Sequence, residues 1–352
     1  MRGFALMTLV AAWFSAGCRD STGAAGQVNV YLWSEYIDPA IVKDFERETG
    51  LRVRRSEYES TQDMMAKLQQ AGGAELYDVV IMADHAVREM AQAGLLRPLE
   101  LDKIPNRVNV AERFVNPPYD PRGRYSLPYQ WGTVGIMYRR DKIGRIEPSW
   151  AALFDPARVA GPFVLLDDMR DLFAAALKFE GHSVNSTDPG QVRSAAELIA
   201  RAKAHPKCLG FAGGAEGKNK VVSQDAALAI VYNGDALRGI SEAPEAAFVI
   251  PREGSIIWAD AMTIPAKAPN PDGAHRFINY LLDARVGARL SNFTRFASPN
   301  AKALPLINEA DRNNPAVYPP QEQLGRMEFL EDLGEAVRRL YDPAWTSVKA
   351  RS

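Results

Sequence analysis

The sequence predicts an α/β protein of two lobes, each a sheet wound with helices, joined by a hinge. Three observations predict it. Short apolar strands alternate with amphipathic helices from residue 28 to residue 93, the pattern of a wound sheet. A second alternation begins at Phe163, beyond a long aperiodic stretch. The roughly 330 residues that follow the leader exceed what one hydrophobic core usually organises.

Val28–Trp33 reads as the first strand, and Asp38-Pro39 supplies an N-cap and a first-turn proline for a helix that Gly50 ends. Leu51–Tyr58 is the next strand. Ser60 and Asp63 stand at capping-box spacing before a helix to Gln70, Tyr77–Met82 is a buried strand, and His85–Ala93 a helix stopped at Gly94. Parallel pairing is expected of such units. Asn106–Arg124, rich in Pro, Asn and Asp, reads as a long loop, and Thr133–Tyr138 as a strand. In the second half, Phe163–Leu166 leads to a helix from Met169 to about Glu180, and Asp188-Pro189 opens a helix to about Ala204. Ala227–Tyr232 reads as a strand entering a loop at Asn233-Gly234, and Ala247–Ile250 as another. Helices after Gly273 and around Leu324–Leu340 complete this unit.

Residues 1–18 begin with Arg2, run apolar from Phe4 to Phe14 and close on Ser15-Ala16-Gly17-Cys18, a secretory signal. Its ending resembles a bacterial lipobox, which implies lipidation at Cys18 and a membrane attachment through that lipid, although Ser15 stands where such boxes usually carry Leu. The apolar run is short of the ~20 residues that span a bilayer. Residues 19–27 read as a Ser/Gly/Ala-rich tether. With Cys18 lipidated, Cys208 has no partner for an internal disulfide. The 42 Lys+Arg against 43 Asp+Glu leave no basic excess, which excludes a nucleic-acid partner as an expectation.

Recognition must then lie in a local cluster. Trp33 with Glu35, and Trp258 with Asp260, each place a ring and a carboxylate two residues apart, hence on one face of an extended backbone. Ring faces and carboxylates both attract positive charge, so the pairing suits an elongated organic cation, with a polyamine as the expected ligand.

The ordered segments Trp33-Ser34-Glu35-Tyr36, Tyr77-Asp78-Val79-Val80, Ser126-Leu127-Pro128-Tyr129-Gln130-Trp131-Gly132 and Pro251-Arg252-Glu253-Gly254, leading into Trp258-Ala259-Asp260, resemble the periplasmic spermidine/putrescine-binding proteins of bacterial polyamine ABC transporters. Tyr318-Pro319-Pro320 and Ala344-Trp345-Thr346-Ser347-Val348-Lys349 are similar to the putrescine-preferring branch. The resemblance runs from Val28 to Lys349. It implies a type II periplasmic binding protein that closes over its ligand and docks on an inner-membrane permease as a monomer. Lobes are expected at 28–133 plus 259–303 and at 134–258 plus 304–352.

The resemblance also implies a site. Trp33 and Trp258 would sandwich the polyamine methylenes, with Tyr36 and Tyr232 as further walls. Asp260 matches the characteristic amine-binding carboxylate. Asp168 and Asp171, three apart at a helix start, match amine-binding acids, although Asp167 or Asp168 can equally cap the helix at Met169. Asp235 matches an aspartate of the putrescine branch and would equally suit a turn. Ser34 and Glu35 match positions that help hold an amine. The chain departs from its relatives at Ala83-Asp84-His85, at Phe296 in place of a tyrosine, and at Leu330 in place of a glutamine. His85 would equally suit a helix cap. A buried amine without partners is costly, so the more apolar end favours putrescine over spermidine.

No cofactor, metal or catalysis is expected. Gly-x-Ser-x-Gly, His-Glu-x-x-His and glycine-rich phosphate loops are absent from the sequence, and four histidines are few for a metal cluster. Two alternatives stand beside transport: a sensor or binder of another organic cation on the same fold, and a hydrolase using paired carboxylates such as Asp168 and Asp171.

Overall fold

Acidic and hydroxyl caps start the helices. The Asp38 carboxylate accepts from Ala40 N–H, Ser60 Oγ from Asp63 N–H, Asp168 from the N–H groups of Arg170 and Asp171, and Asp188 from those of Gly190 and Gln191. Each cap satisfies donors that the first helical turn leaves free, worth about 1 kcal/mol apiece. Helices thus begin at Pro39, Thr61, Met169 and Pro189. The computed structural model describes residues 26–350. The leader, Cys18 and the tether as far as residue 25 lie outside the described residues.

The strands are β1 (Gln27–Trp33), β2 (Arg52–Tyr58), β3 (Val79–Met82), β4 (Ser126–Arg139), β5 (Phe163–Leu166), β6 (Cys208–Ala212), β7 (Leu228–Tyr232), β8 (Ala246–Val249), β9 (Ile256–Thr263) and β10 (Glu328–Phe329). They run in the order β2-β1-β3-β9-β4-β7-β5-β6, with β10 on β9 and β8 on β4. β4 belongs to both lobes. Its residues from Ser126 to Thr133 pair with β9, and those from Val134 onward pair with β7 and β8. The chain returns through Ile250–Ser255 into β9, which pairs with the first half of β4, so β4 and β9 are neighbouring passages between the lobes.

The first lobe packs helix Pro39–Thr49 and helix Pro271–Leu281 together, with Phe45 edge-on to Phe277 at 5.0 Å. Both rings are fully buried. In the second lobe Trp150 is fully buried, and its indole N–H donates to the Gly254 carbonyl at 2.9 Å. Each such ring contributes about 2–3 kcal/mol on burial.

The expectation of parallel pairing holds for β1, β2 and β3 and for β5, β6 and β7, while the centre is antiparallel: β9 against β3 and β4, and β4 against β7 and β8. The loop expected at Asn233-Gly234 is instead the start of helix Asn233–Glu242, directly after β7. Asn233 spends its side chain elsewhere, accepting from Thr133 N–H at 3.0 Å and donating to the Ala316 carbonyl at 2.8 Å. The helix expected around Leu324–Leu340 is mostly not one. β10 pairs with β9, Gly334 takes φ 53°, and a π-turn at Val337–Tyr341 leads into helix Asp342–Ala350. The 106–124 stretch is built of single 3-10 turns.

Candidate functional site

The carboxyl ends of β1, β2, β3, β5, β6 and β7 converge on one cleft between the lobes, where open α/β sheets place ligands. Trp33 ends β1 and Ser34 and Tyr36 follow it, Glu59 and Thr61 follow β2, and Ala83 and His85 follow β3. From the other lobe come Asp171, Gly214 with Ala215, and Tyr232 with Asp235. β9 supplies Trp258 and Asp260 from its middle, and Phe296 and Leu330 close the wall. The cleft encloses about 630 Å³ of atom-free space, part of it open to solvent.

Trp33, Tyr36, Tyr232, Trp258 and Phe296 bring aromatic rings to the lining. Tyr36 meets Phe296 edge-on at 5.5 Å, Phe296 meets Trp258 at 5.0 Å, and Trp258 meets Tyr232 at 5.7 Å. Across from them Trp33 leans on Tyr58 at 4.4 Å. Three of these rings rest on glycines. A Cβ at Gly132 would lie 2.6 Å from the Trp258 ring, one at Gly234 2.6 Å from Phe296, and one at Gly214 2.5 Å from Tyr232. The rings are thereby set back from the cleft by bare backbone.

Buried carboxyls interrupt the aromatic wall. Asp260 is 6% exposed, and burial pushes its carboxyl up to about 8. The Tyr36 hydroxyl and the Trp33 indole oppose that rise, while Asp84 and Asp168 add to it. Neither the Tyr36 hydroxyl nor the Trp33 or Trp258 indole N–H completes a hydrogen bond within the described residues. Burial and the neighbouring Asp168 hold the Asp171 carboxyl well above its usual range, against the Tyr232 hydroxyl that donates to it at 2.7 Å. Asp235 is raised to about 6 by burial, with Arg238 at 2.6 Å pulling it down. Among the described residues Arg238 pairs with Asp235, whereas no cationic side chain forms an ion pair with Asp260 or Asp171. Such a cleft disfavours its own negative charge and gains from an arriving cation.

Of the residues singled out in the sequence, the fold brings Trp33, Ser34, Tyr36, His85, Asp171, Tyr232, Asp235, Trp258, Asp260, Phe296 and Leu330 to this wall. Three stand behind or beside it. Glu35 leaves the strand: β1 ends at Trp33, Glu35 takes φ 54°, and the two do not share an extended face. Its carboxylate reaches across the mouth to Arg238 at 3.0 Å and Lys218 at 3.4 Å. Asp84 is buried and accepts from Ala259 N–H at 3.1 Å, fixing β9 between Trp258 and Asp260. Asp168 caps helix Met169–Phe179. Glu59, Thr61, Gly214 and Ala215 were not apparent from the sequence; their one shared signal is a position just past a strand's carboxyl end.

Two α/β lobes joined by paired crossing strands, with a ring-lined acidic cleft between them, define a two-lobed solute-binding protein. Residues 40–317 match the bacterial extracellular solute-binding proteins, and the chain belongs to that family. It is 34% identical to the putrescine/cadaverine-binding protein of Pseudomonas aeruginosa over 97% of this chain and 99% of the relative. It is 32% identical to the spermidine/putrescine-binding periplasmic protein of Salmonella typhimurium over 91% of this chain and 90% of the relative. A solved structure from Listeria monocytogenes, named for spermidine/putrescine ABC transport, superposes with a TM-score of 0.86 at 31% identity, covering 93% of this chain and 100% of the other. No helix among the described residues is long and apolar enough to cross a membrane.

Proposed function

We propose that this protein captures putrescine, in preference to spermidine, outside the cytoplasm and delivers it to an inner-membrane ABC permease, with Cys18 as its lipid attachment. The observation that carries the reading is Asp260: a buried carboxyl raised to about 8, bordered by Trp33, Tyr36 and Trp258, with no cationic partner of its own among the described residues. A protonated amine supplies that partner, and its methylenes replace water against the rings. Asp171, Asp235 and Glu59 supply acceptors for the rest of the diamine. Micromolar capture needs roughly −8 kcal/mol, within reach of charge-assisted hydrogen bonds and ring contacts after ordering costs. Capture involves no chemistry.

Leu330, 4% exposed at the cleft wall, supports the preference for a diamine, because it offers an ammonium group no acceptor. Closure carries lobe 28–133 plus 259–303 onto lobe 134–258 plus 304–352 about β4 and β9, the strands in which two of the boundaries fall. The names of the relatives support both the ligand class and the periplasmic location.

Calorimetry with putrescine, cadaverine, spermidine, spermine, agmatine and 4-aminobutyrate tests the proposal. Putrescine is expected to bind most tightly and 4-aminobutyrate to fail. Binding of 4-aminobutyrate alone would overturn it.

A further inference from the structure

Besides the contacts of Glu328 with Lys178 and Ser183, the segment that carries Leu330 to the cleft wall is held by two residues that do not line the cleft. Leu330 lies between Phe329 and Glu331, at the end of a strand only two residues long. So short a strand cannot fix a wall by itself. Asn185 grips it from both sides: its Nδ2 donates to the Phe329 carbonyl at 2.9 Å, and its Oδ1 accepts from Glu331 N–H at 2.9 Å. Arg170 then ties the two together, donating to the Glu331 carbonyl at 3.2 Å and to Asn185 Oδ1 at 3.3 Å.

Arg170 is itself firmly seated. It is 3% exposed, and its guanidinium lies over the Tyr341 ring at 5.2 Å, whose hydroxyl donates to the Ser186 carbonyl at 2.6 Å. It also precedes Asp171, the carboxyl at the same cleft, on the first turn of helix Met169–Phe179. One side chain therefore starts beside an acidic cleft residue and ends on the backbone that carries the apolar one. Arg170 and Asn185 thus link the backbone on which Asp171 stands to the backbone that carries Leu330.

We infer that Arg170 and Asn185 are positioning residues for chain-length selection, holding Leu330 at a fixed distance from Asp171 so that a short diamine fits and a longer polyamine does not. This rests on the proposed ligand class. With Asn185→Ala the Phe329–Glu331 segment keeps, of these side-chain bonds, only that from Arg170 to the Glu331 carbonyl, Leu330 withdraws, and room opens beside it. Asn185→Asp keeps the acceptor for Glu331 N–H and Arg170 but loses the donor to the Phe329 carbonyl, so it releases one side of the grip.

The test measures putrescine, cadaverine and spermidine affinities by calorimetry for wild type, Asn185→Ala, Asn185→Asp and Arg170→Lys, with thermal melts as a check on folding. The expected result is a putrescine-to-spermidine affinity ratio that narrows about tenfold in Asn185→Ala, the scale on which one pocket wall discriminates. Arg170→Lys and Asn185→Asp, each of which keeps part of the grip, narrow it less. If all affinities fall by one common factor in Asn185→Ala while the ratio stays fixed, the positioning role is overturned and the ligand reading survives. Should Asn185→Ala fail to fold, Arg170→Lys decides, an unchanged ratio overturning the role. A wild type that binds none of the three overturns both.

Discussion

Replacing Asp260 with asparagine should make the empty protein more stable and the binding protein useless. In the ligand-free cleft this carboxyl is raised from 3.8 to about 8, chiefly by burial. The sign follows from the proton count. Between about 4 and about 8 the folded protein holds a proton that the unfolded chain has released, so wild-type stability falls as pH rises across that window and levels off above it. At about 1.4 kcal/mol for each tenfold in proton affinity, the ceiling on that loss is about 6 kcal/mol. Relaxation and water entry reduce it to about 2–4 kcal/mol. Asparagine has no proton to lose, so Asp260→Asn should melt about 3–6 °C above wild type at pH 9 and close to it at pH 4, for a chain of this size. Putrescine binding by the variant should weaken by more than about a hundredfold, because a buried amine loses its counter-charge. Differential scanning calorimetry from pH 4 to pH 9, without and with putrescine, reads both effects. Melting curves of variant and wild type that stay parallel across the whole range would refute the reasoning.

Four further outcomes are expected. Putrescine affinity of the wild type should fall as pH drops below about 8, by up to about tenfold per pH unit, since binding must displace the Asp260 proton; calorimetry in two buffers of different ionisation enthalpy should detect the released proton. Trp258→Ala should cost about 2–3 kcal/mol of putrescine affinity, seen by titration calorimetry, through loss of a ring face. Leu330→Gln should shift preference toward spermidine by giving that end an acceptor, read as the ratio of two dissociation constants. Glu35→Gln should speed ligand dissociation by about three- to tenfold in stopped flow with the ligand ratio unchanged, because Glu35 joins Arg238 and Lys218 across the mouth.

What could be read in the sequence was read from local signals. Asp38-Pro39, Ser60 and Asp188-Pro189 act within one helical turn, and the helices start where those residues place them. The first half of β4 was less legible, because Pro128 and Gly132 argue against a strand; a register shift between Pro128 and Gln130 accommodates the proline. Trp258 and Asp260 sit on a true strand, so their period-two spacing does bring both to the cleft. The same spacing misled at Trp33 and Glu35, where a left-handed residue breaks the alternation. Glu59 and Thr61 carry no motif, and only the convergence of β2 with the strands around it brings them near the rest. Gly214 contributes by lacking a side chain, a role no residue-type argument picks out.

Gly132 and Gly234, which touch lining rings without lining the cleft themselves, mean that its bore is gauged in part from outside. Adding one methyl at Gly132 or Gly234, neither of which lines the cleft, would crowd the Trp258 indole or the Phe296 phenyl that does. Evolution can therefore retune calibre through positions that an inventory of contact residues would never include.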